Sequence, residues 1–231
     1  MRTPETFGSA IVIVAAFNPA IYTPDWLFHA KLIGVSDVAA AKASPEFVIT
    51  GMVCNYHTDT FILQVLQDRL YLESNGVLTP ALADLAIGIL TVSGHVEVQQ
   101  MGLNFFANYK MPDVASYHKV GDVLAPKNIW ESAFGQAGSS IGMQTVAIKI
   151  QPFERDVVPN SKDEIRLTVQ PSPKISRGVF LAINHHSEIA ERTAEKSKVE
   201  AAVEIIEKNW ETKWHQSLVA FDKLLDAVAN A

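Results

Sequence analysis

Two adjacent histidines, His185 and His186, close an apolar run and are by type well suited to move a proton or bind a metal. On an extended strand, neighbouring side chains point to opposite faces, so these two do not readily share one ion. His186, on the same side as Asn184, reads first as a solvent-facing or hydrogen-bonded residue and second as a general base or ligand. His57 carries the same two readings, with Asp59 placed to orient its ring. Asp68 beside Arg69, flanked by Leu66, Leu70 and Leu72, reads as a partly buried structural ion pair, with a catalytic carboxylate as the alternative. The single cysteine, Cys54, sits within an apolar strand and reads as a buried, inert thiol. Trp26 and Trp130, each in a short helical stretch, read as core or rim aromatics and not as a ligand cage.

The glycine-rich residues 135–142 lack the lysine and following helix of a phosphate cradle, and no dinucleotide fingerprint, nucleophile elbow or paired-cysteine zinc pattern occurs. The chain is therefore expected to carry no metal and no cofactor. An enzymatic reading has to be built from His57, Asp59, Asp68 and His186, acting on a small polar molecule and converging in one cleft.

The elements that must position these groups can be read from periodicity. Residues 10–17 predict a buried strand that Asn18 and Pro19 stop. Thr23, Pro24 and Asp25 open a helix over 24–33. Residues 46–57, 60–66 and 69–73 predict three strands, and 81–92 a core helix after the start signal at Thr79 and Pro80. Over 95–109 the alternation changes phase, which a bulge near Gln99 and Gln100 would reconcile. Short helices at 112–120 and 126–134, a loop at 135–142 and strands at 146–150, 165–169 and 178–184 follow.

The expected class is α+β with mainly antiparallel sheet, in one cooperative unit over 1–231. The same order of elements occurs twice, so a duplicated β-α-β-β-β-α half-unit, 1–93 and 94–231, is one reading. It places strands 10–17 and 95–109 in equivalent positions of two halves.

From residue 187 to 231 there is no Gly or Pro, and Val199, Val203, Ile206, Trp210, Trp214, Ser217, Phe221, Leu224 and Val228 recur at three- and four-residue steps. That stripe is about 45 Å long, against about 29 Å for a sheet of six strands. The first reading is that the helix lies obliquely across the protein and simply covers the sheet; the second is an overhanging end that seats Trp210, Trp214, Phe221, Leu224 and Val228 against a second chain.

The segments Leu66-Gln67-Asp68-Arg69-Leu70-Tyr71-Leu72 and Met101-Gly102-Leu103-Asn104-Phe105, with a helix between them, resemble the central part of a widespread uncharacterised bacterial family of similar length. The family more often has Arg before the Gly-Leu and Tyr-Ile-Asn after it, which this chain lacks. The resemblance implies an α+β architecture of bacterial or phage origin and transfers no catalytic residue.

A net charge of -6 over 231 residues gives no long-range attraction to nucleic acid or to an anionic membrane. The apolar run at 10–17 is too short for a span or a secretory core, and one cysteine fits a reducing compartment, so a cytoplasmic protein is expected. The leading expectation is a non-enzymatic binding or assembly subunit, a homo-oligomer or a partner of another protein. It would be joined through the C-terminal helix or exposed sheet edges. A small-ligand-binding protein with a large apolar cavity is the remaining alternative.

Overall fold

The computed structural model describes residues 2–75, 80–135, 140–151, 163–189 and 197–231. The expected start signals at Thr79 and the middle of the glycine-rich loop, 136–139, fall outside them. The fold is α+β, built on one antiparallel sheet of nine strands in the order β2-β3-β4-β5-β1-β6-β9-β8-β7. The first half supplies β1 (Thr6–Val14), β2 (Val48–Ile49), β3 (Val53–His57), β4 (Phe61–Leu66) and β5 (Arg69–Ser74). The second supplies β6 (Gln100–Lys110), β7 (Val146–Ile150), β8 (Glu164–Pro171) and β9 (Gly178–Glu188). β1 and β6 are neighbours at the centre. Outward from them the order is β5, β4, β3, β2 on one side and β9, β8, β7 on the other.

Helices α1 (Pro24–His29), α2 (Val35–Ala43), α3 (Pro80–Val92), α4 (Val114–Leu124), α5 (Lys127–Phe134) and α6 (Lys198–Asn230) connect and cover these strands. Thr23 caps α1, its hydroxyl accepting from Trp26 N at 3.1 Å, with Pro24 in the first turn as its spacing predicts. The helix stops at His29, and the chain then starts α2, which the periodicity does not announce because only Ala41 of its nine residues is buried. The expected strand over 46–57 is interrupted at Thr50, whose N–H donates to Val53 O and folds residues 48–49 back as β2. The phase change near Gln99 is not a bulge. Val96 and Val98 are buried ahead of β6, which begins only at Gln100.

Strand alternation sorts the sheet into two faces. Ile11, Ile13, Leu63, Leu72, Met101, Leu103, Phe105, Leu181 and Ile183 enter the two apolar clusters with α1, α3, α4 and α6, and no residue of the opposite face belongs to either cluster. Cys54 lies on the covered face with its thiol 3.2 Å from Tyr22 O, and burial pushes that thiol up to about 12. A thiol-reactive chromophore at pH 8 is therefore expected to leave the folded protein unlabelled over minutes and to titrate one thiol in denaturant. Rapid labelling of the native protein would contradict this packing.

α6 is a single helix of 33 residues, opened by Ser197, whose hydroxyl accepts from Glu200 N while Glu200 accepts from Ser197 N. Its apolar stripe is covered within the chain: Trp210, Trp214, Phe221 and Val228 are buried, and Leu224 packs half-buried on the second cluster. The expectation that these five residues anchor a second chain is thereby corrected. The helix, about 50 Å long, packs on β6 and β9 and against α3 and α4, so its stripe is covered by neighbouring helices as well as by the sheet.

Candidate functional site

The uncovered face of the sheet gathers most of the polar side chains that the covered face excludes. One cross-strand row runs from β7 to β3 through Lys149, Arg166, Asn184, Asn104, Ala10, Glu73, Ile62 and His57, each paired in register with the next. Beside it, Glu164 pairs in register with His186, and His186 with Gly102.

At the second-half end, the Glu164 side chain is 7% exposed and accepts from both Lys149 and Arg166. The hydrogen bond from Lys149, with the smaller contribution of Arg166, holds the Glu164 carboxyl below its usual range. His186 faces this triad. Burial, then the Arg166 charge, moves its pKa below the ordinary histidine value, so it is a neutral imidazole at physiological pH. Next to it, Asn184 lies so flat that a Cβ on Gly102 would come within 2.7 Å of its Oδ1, which explains a glycine at this point of β6. That Oδ1 is buried and, among the described residues, accepts no hydrogen bond.

At the centre, the Phe106 ring sits over Gly8, where a Cβ would approach to 2.4 Å, and packs at 6.1 Å from the Phe180 ring. Glu73, Gly8, Ile62, Asn108, Phe106 and Lys174 line a shallow cleft of about 320 Å³ beside this pair. Tyr71 donates its hydroxyl to Glu73 on the same face. The second cleft, of about 300 Å³, lies between α4 and residues 140–143, with Tyr117, His118, Asp122 and Lys127 among its walls. Both clefts are open and mixed in polarity, unlike the large apolar cavity expected of a small-ligand carrier.

The residues proposed for catalysis do not come together. His57 and His186 stand five strands apart in the sheet order, about 24 Å at about 4.8 Å per strand, far outside the reach of a shared general base and ligand. His57 Nε2 is 2.9 Å from Glu46 Oε2, so Glu46, and not Asp59, orients that ring. Asp59 is exposed in the β3–β4 turn, where Thr58 Oγ1 accepts from Phe61 N and Thr60 N. Asp68 is 77% exposed in the β4–β5 turn and 3.9 Å from Arg69, so the partly buried pair expected from its leucine neighbours is a surface pair. The turn needs only that Asp68 O accept from Ala15 N, a backbone role open to any side chain. Trp26 packs at 5.4 Å on Tyr22, whereas Trp130 is half-exposed and stacked at 6.4 Å on Phe134.

His185, on the covered face, is the titratable group that sequence reading passed over. It lies under α6 with Nε2 3.0 Å from Ser217 Oγ. The only advance sign was parity: if His186 faces out with Asn184, His185 must face in. The contact is buried, His185 being 8% exposed and Ser217 fully covered. Among the described residues no group of three or more His, Cys, Asp or Glu side chains is placed to hold a metal ion, and no helix is long and apolar enough to cross a membrane.

These features define a one-sided sheet protein: nine antiparallel strands, helices packed on one face, and a polar and aromatic surface on the other. No protein-family model matches the chain, and no curated protein matches it.

Proposed function

We propose that the protein is a non-enzymatic assembly subunit, cytoplasmic, which joins a second copy or another protein through the uncovered surfaces of its sheet. Neither nucleic acid nor membrane is a partner in this reading. The observation that carries it is the division of the sheet: one face is consumed by its own helices, and the other presents Phe106, Phe180, Tyr71 and two asparagines partly exposed across strands. A rigid face with aromatic anchors and a mixed polar surround has the make-up of a protein-binding surface. The dispersal of His57, Asp59, Asp68 and His186 weighs against the alternative of a hydrolase-like enzyme acting on a small polar molecule.

The test is lysine cross-linking of an equal mixture of isotopically light and heavy protein, so that links between copies are recognised by mass. Links between copies are expected at Lys110, Lys149 and Lys174, on the uncovered face and its margin. Links confined to Lys208, Lys213 and Lys223 of α6 would overturn the choice of surface.

A further inference from the structure

The two halves differ at their outer edges. In the first, β3 has the two-residue β2 beyond it, and its covered-face residues Cys54 and Tyr56 are fully buried. In the second, β7 holds the place corresponding to β3, but among the described residues no strand lies beyond it. Its residues on the same face, Ile148 and Ile150, are 47% and 50% exposed. Among the described residues β7 is thus a five-residue edge strand whose backbone groups along one side have no strand partner, with an apolar row at Val146, Ile148 and Ile150.

Edges of this kind are ordinarily protected by a lysine, a bulge or extreme shortness, and β2 shows the last of these. The lysine of β7 does not serve. Lys149 points to the opposite face, where its ammonium is engaged by Glu164 of the neighbouring strand.

We propose that β7 pairs antiparallel with β7 of a second copy, across a two-fold axis at Ile148, so that two sheets become one continuous sheet. This rests on the self-association part of the assembly reading above and places the contact at the sheet edge instead of on the aromatic face. The five residues are complementary to themselves about that axis. Ile148 meets its own counterpart and Val146 meets Ile150, which continues the apolar row on one face. On the other face Ala147 meets Lys149, so no like charges stand opposite each other. A two-fold contact of this kind closes at two copies, whereas β7 against β2 would be head-to-tail and would polymerise over only two residues. A strand of this length buries well under the roughly 800 Å² per partner of a stable complex, so the association is expected to be weak and dependent on concentration.

The experiment is sedimentation velocity from micromolar concentrations to about 300 µM on the wild type, on I148K, on I148E and on an equal mixture of the two variants. Urea unfolding establishes that each variant is folded, as expected at a half-exposed position. The wild type is expected to rise from 25.3 kDa toward twice that mass. Each variant alone should stay at one copy, because it sets like charges face to face, and the mixture should recover the double mass. Folded variants that both associate like the wild type would overturn the β7 contact and leave the assembly reading standing. Two monomeric variants whose mixture also stays monomeric would overturn the register at Ile148. A wild type fixed at 25.3 kDa throughout would remove the pairing and, with it, self-assembly.

Discussion

Replacing Phe221 by alanine is expected to lower the free energy of unfolding by about 3–5 kcal/mol and to leave the mass of the folded fraction unchanged. Phe221 is fully buried, with its ring at 6.4 Å from Tyr109 in an edge contact, among Leu181, Val169, Val179 and Leu225. Truncation removes an aromatic side chain and leaves a cavity whose walls come from a rigid sheet on one side and a long helix on the other, neither of which can collapse to fill it. Set against a typical stability of about 5–15 kcal/mol, the loss is a large fraction of the whole. Trp210→Ala should cost a similar amount, because Trp210 packs at 5.0 Å on Phe105 in the other cluster. Leu224, only half-buried, should cost less when truncated. Urea midpoints for the three variants decide the matter. A folded Phe221→Ala protein with the wild-type midpoint and an altered sedimentation mass would mean that the stripe faces another chain after all.

Acidification from pH 7 to pH 5 is expected to destabilise the wild type by about 2 kcal/mol through His185 alone. The Ser217 hydroxyl donates to Lys213 O at 2.7 Å, so His185 Nε2 carries the ring proton and donates to Ser217 Oγ. Nδ1 is left as a buried acceptor without a partner among the described residues. A second proton there would be a donor with nothing to receive it in an apolar surround, next to Phe105 at 6.0 Å. Burial, with the Lys213 charge adding to it, accordingly pushes the His185 pKa down to about 4.

The unfolded chain binds this proton below about 6.5 and the folded protein only below about 4, so stability falls as pH drops through that window. Glu164 and Asp222, whose carboxyls are held below their usual range, lose their contribution at lower pH and do not account for the same slope. His186 acts in the same direction as His185, so the discriminating comparison is His185→Leu. In that variant Ser217 still donates to Lys213 O, and the pH 7 to pH 5 difference in urea midpoint should shrink by most of the His185 share. An undiminished difference would show that the slope arises elsewhere.

Much of the local structure was legible because it depends on neighbours in the chain. Thr23 and Pro24 announced α1, and the three- and four-residue steps from Val199 to Val228 announced α6 as one rod. The alternation at Val146, Ile148 and Ile150 announced β7 to the residue. α2 escaped because it turns only one small residue inward, and β9 runs to Glu188, beyond the expected end at 184, because pairing with β6 carries it there. The candidate site was legible only as parity: His185 and His186 had to part, and Asn184 had to side with His186. That Asn104 and Arg166 flank Asn184, or that Glu46 takes His57 from Asp59, depends on which strands lie side by side.

By itself, then, the sequence determined the kind of every α-helix and strand but α2, the direction each side chain takes from its strand or helix, and the existence of a long apolar stripe. Only the tertiary structure decided where that stripe goes. Pairing between segments far apart in the chain brings β6 and β9 under it and α3 and α4 against it, and such pairing leaves no periodic trace in either segment. The same long-range pairing left β7 at the rim with its isoleucines uncovered and sent the ionisable groups to opposite ends of one face.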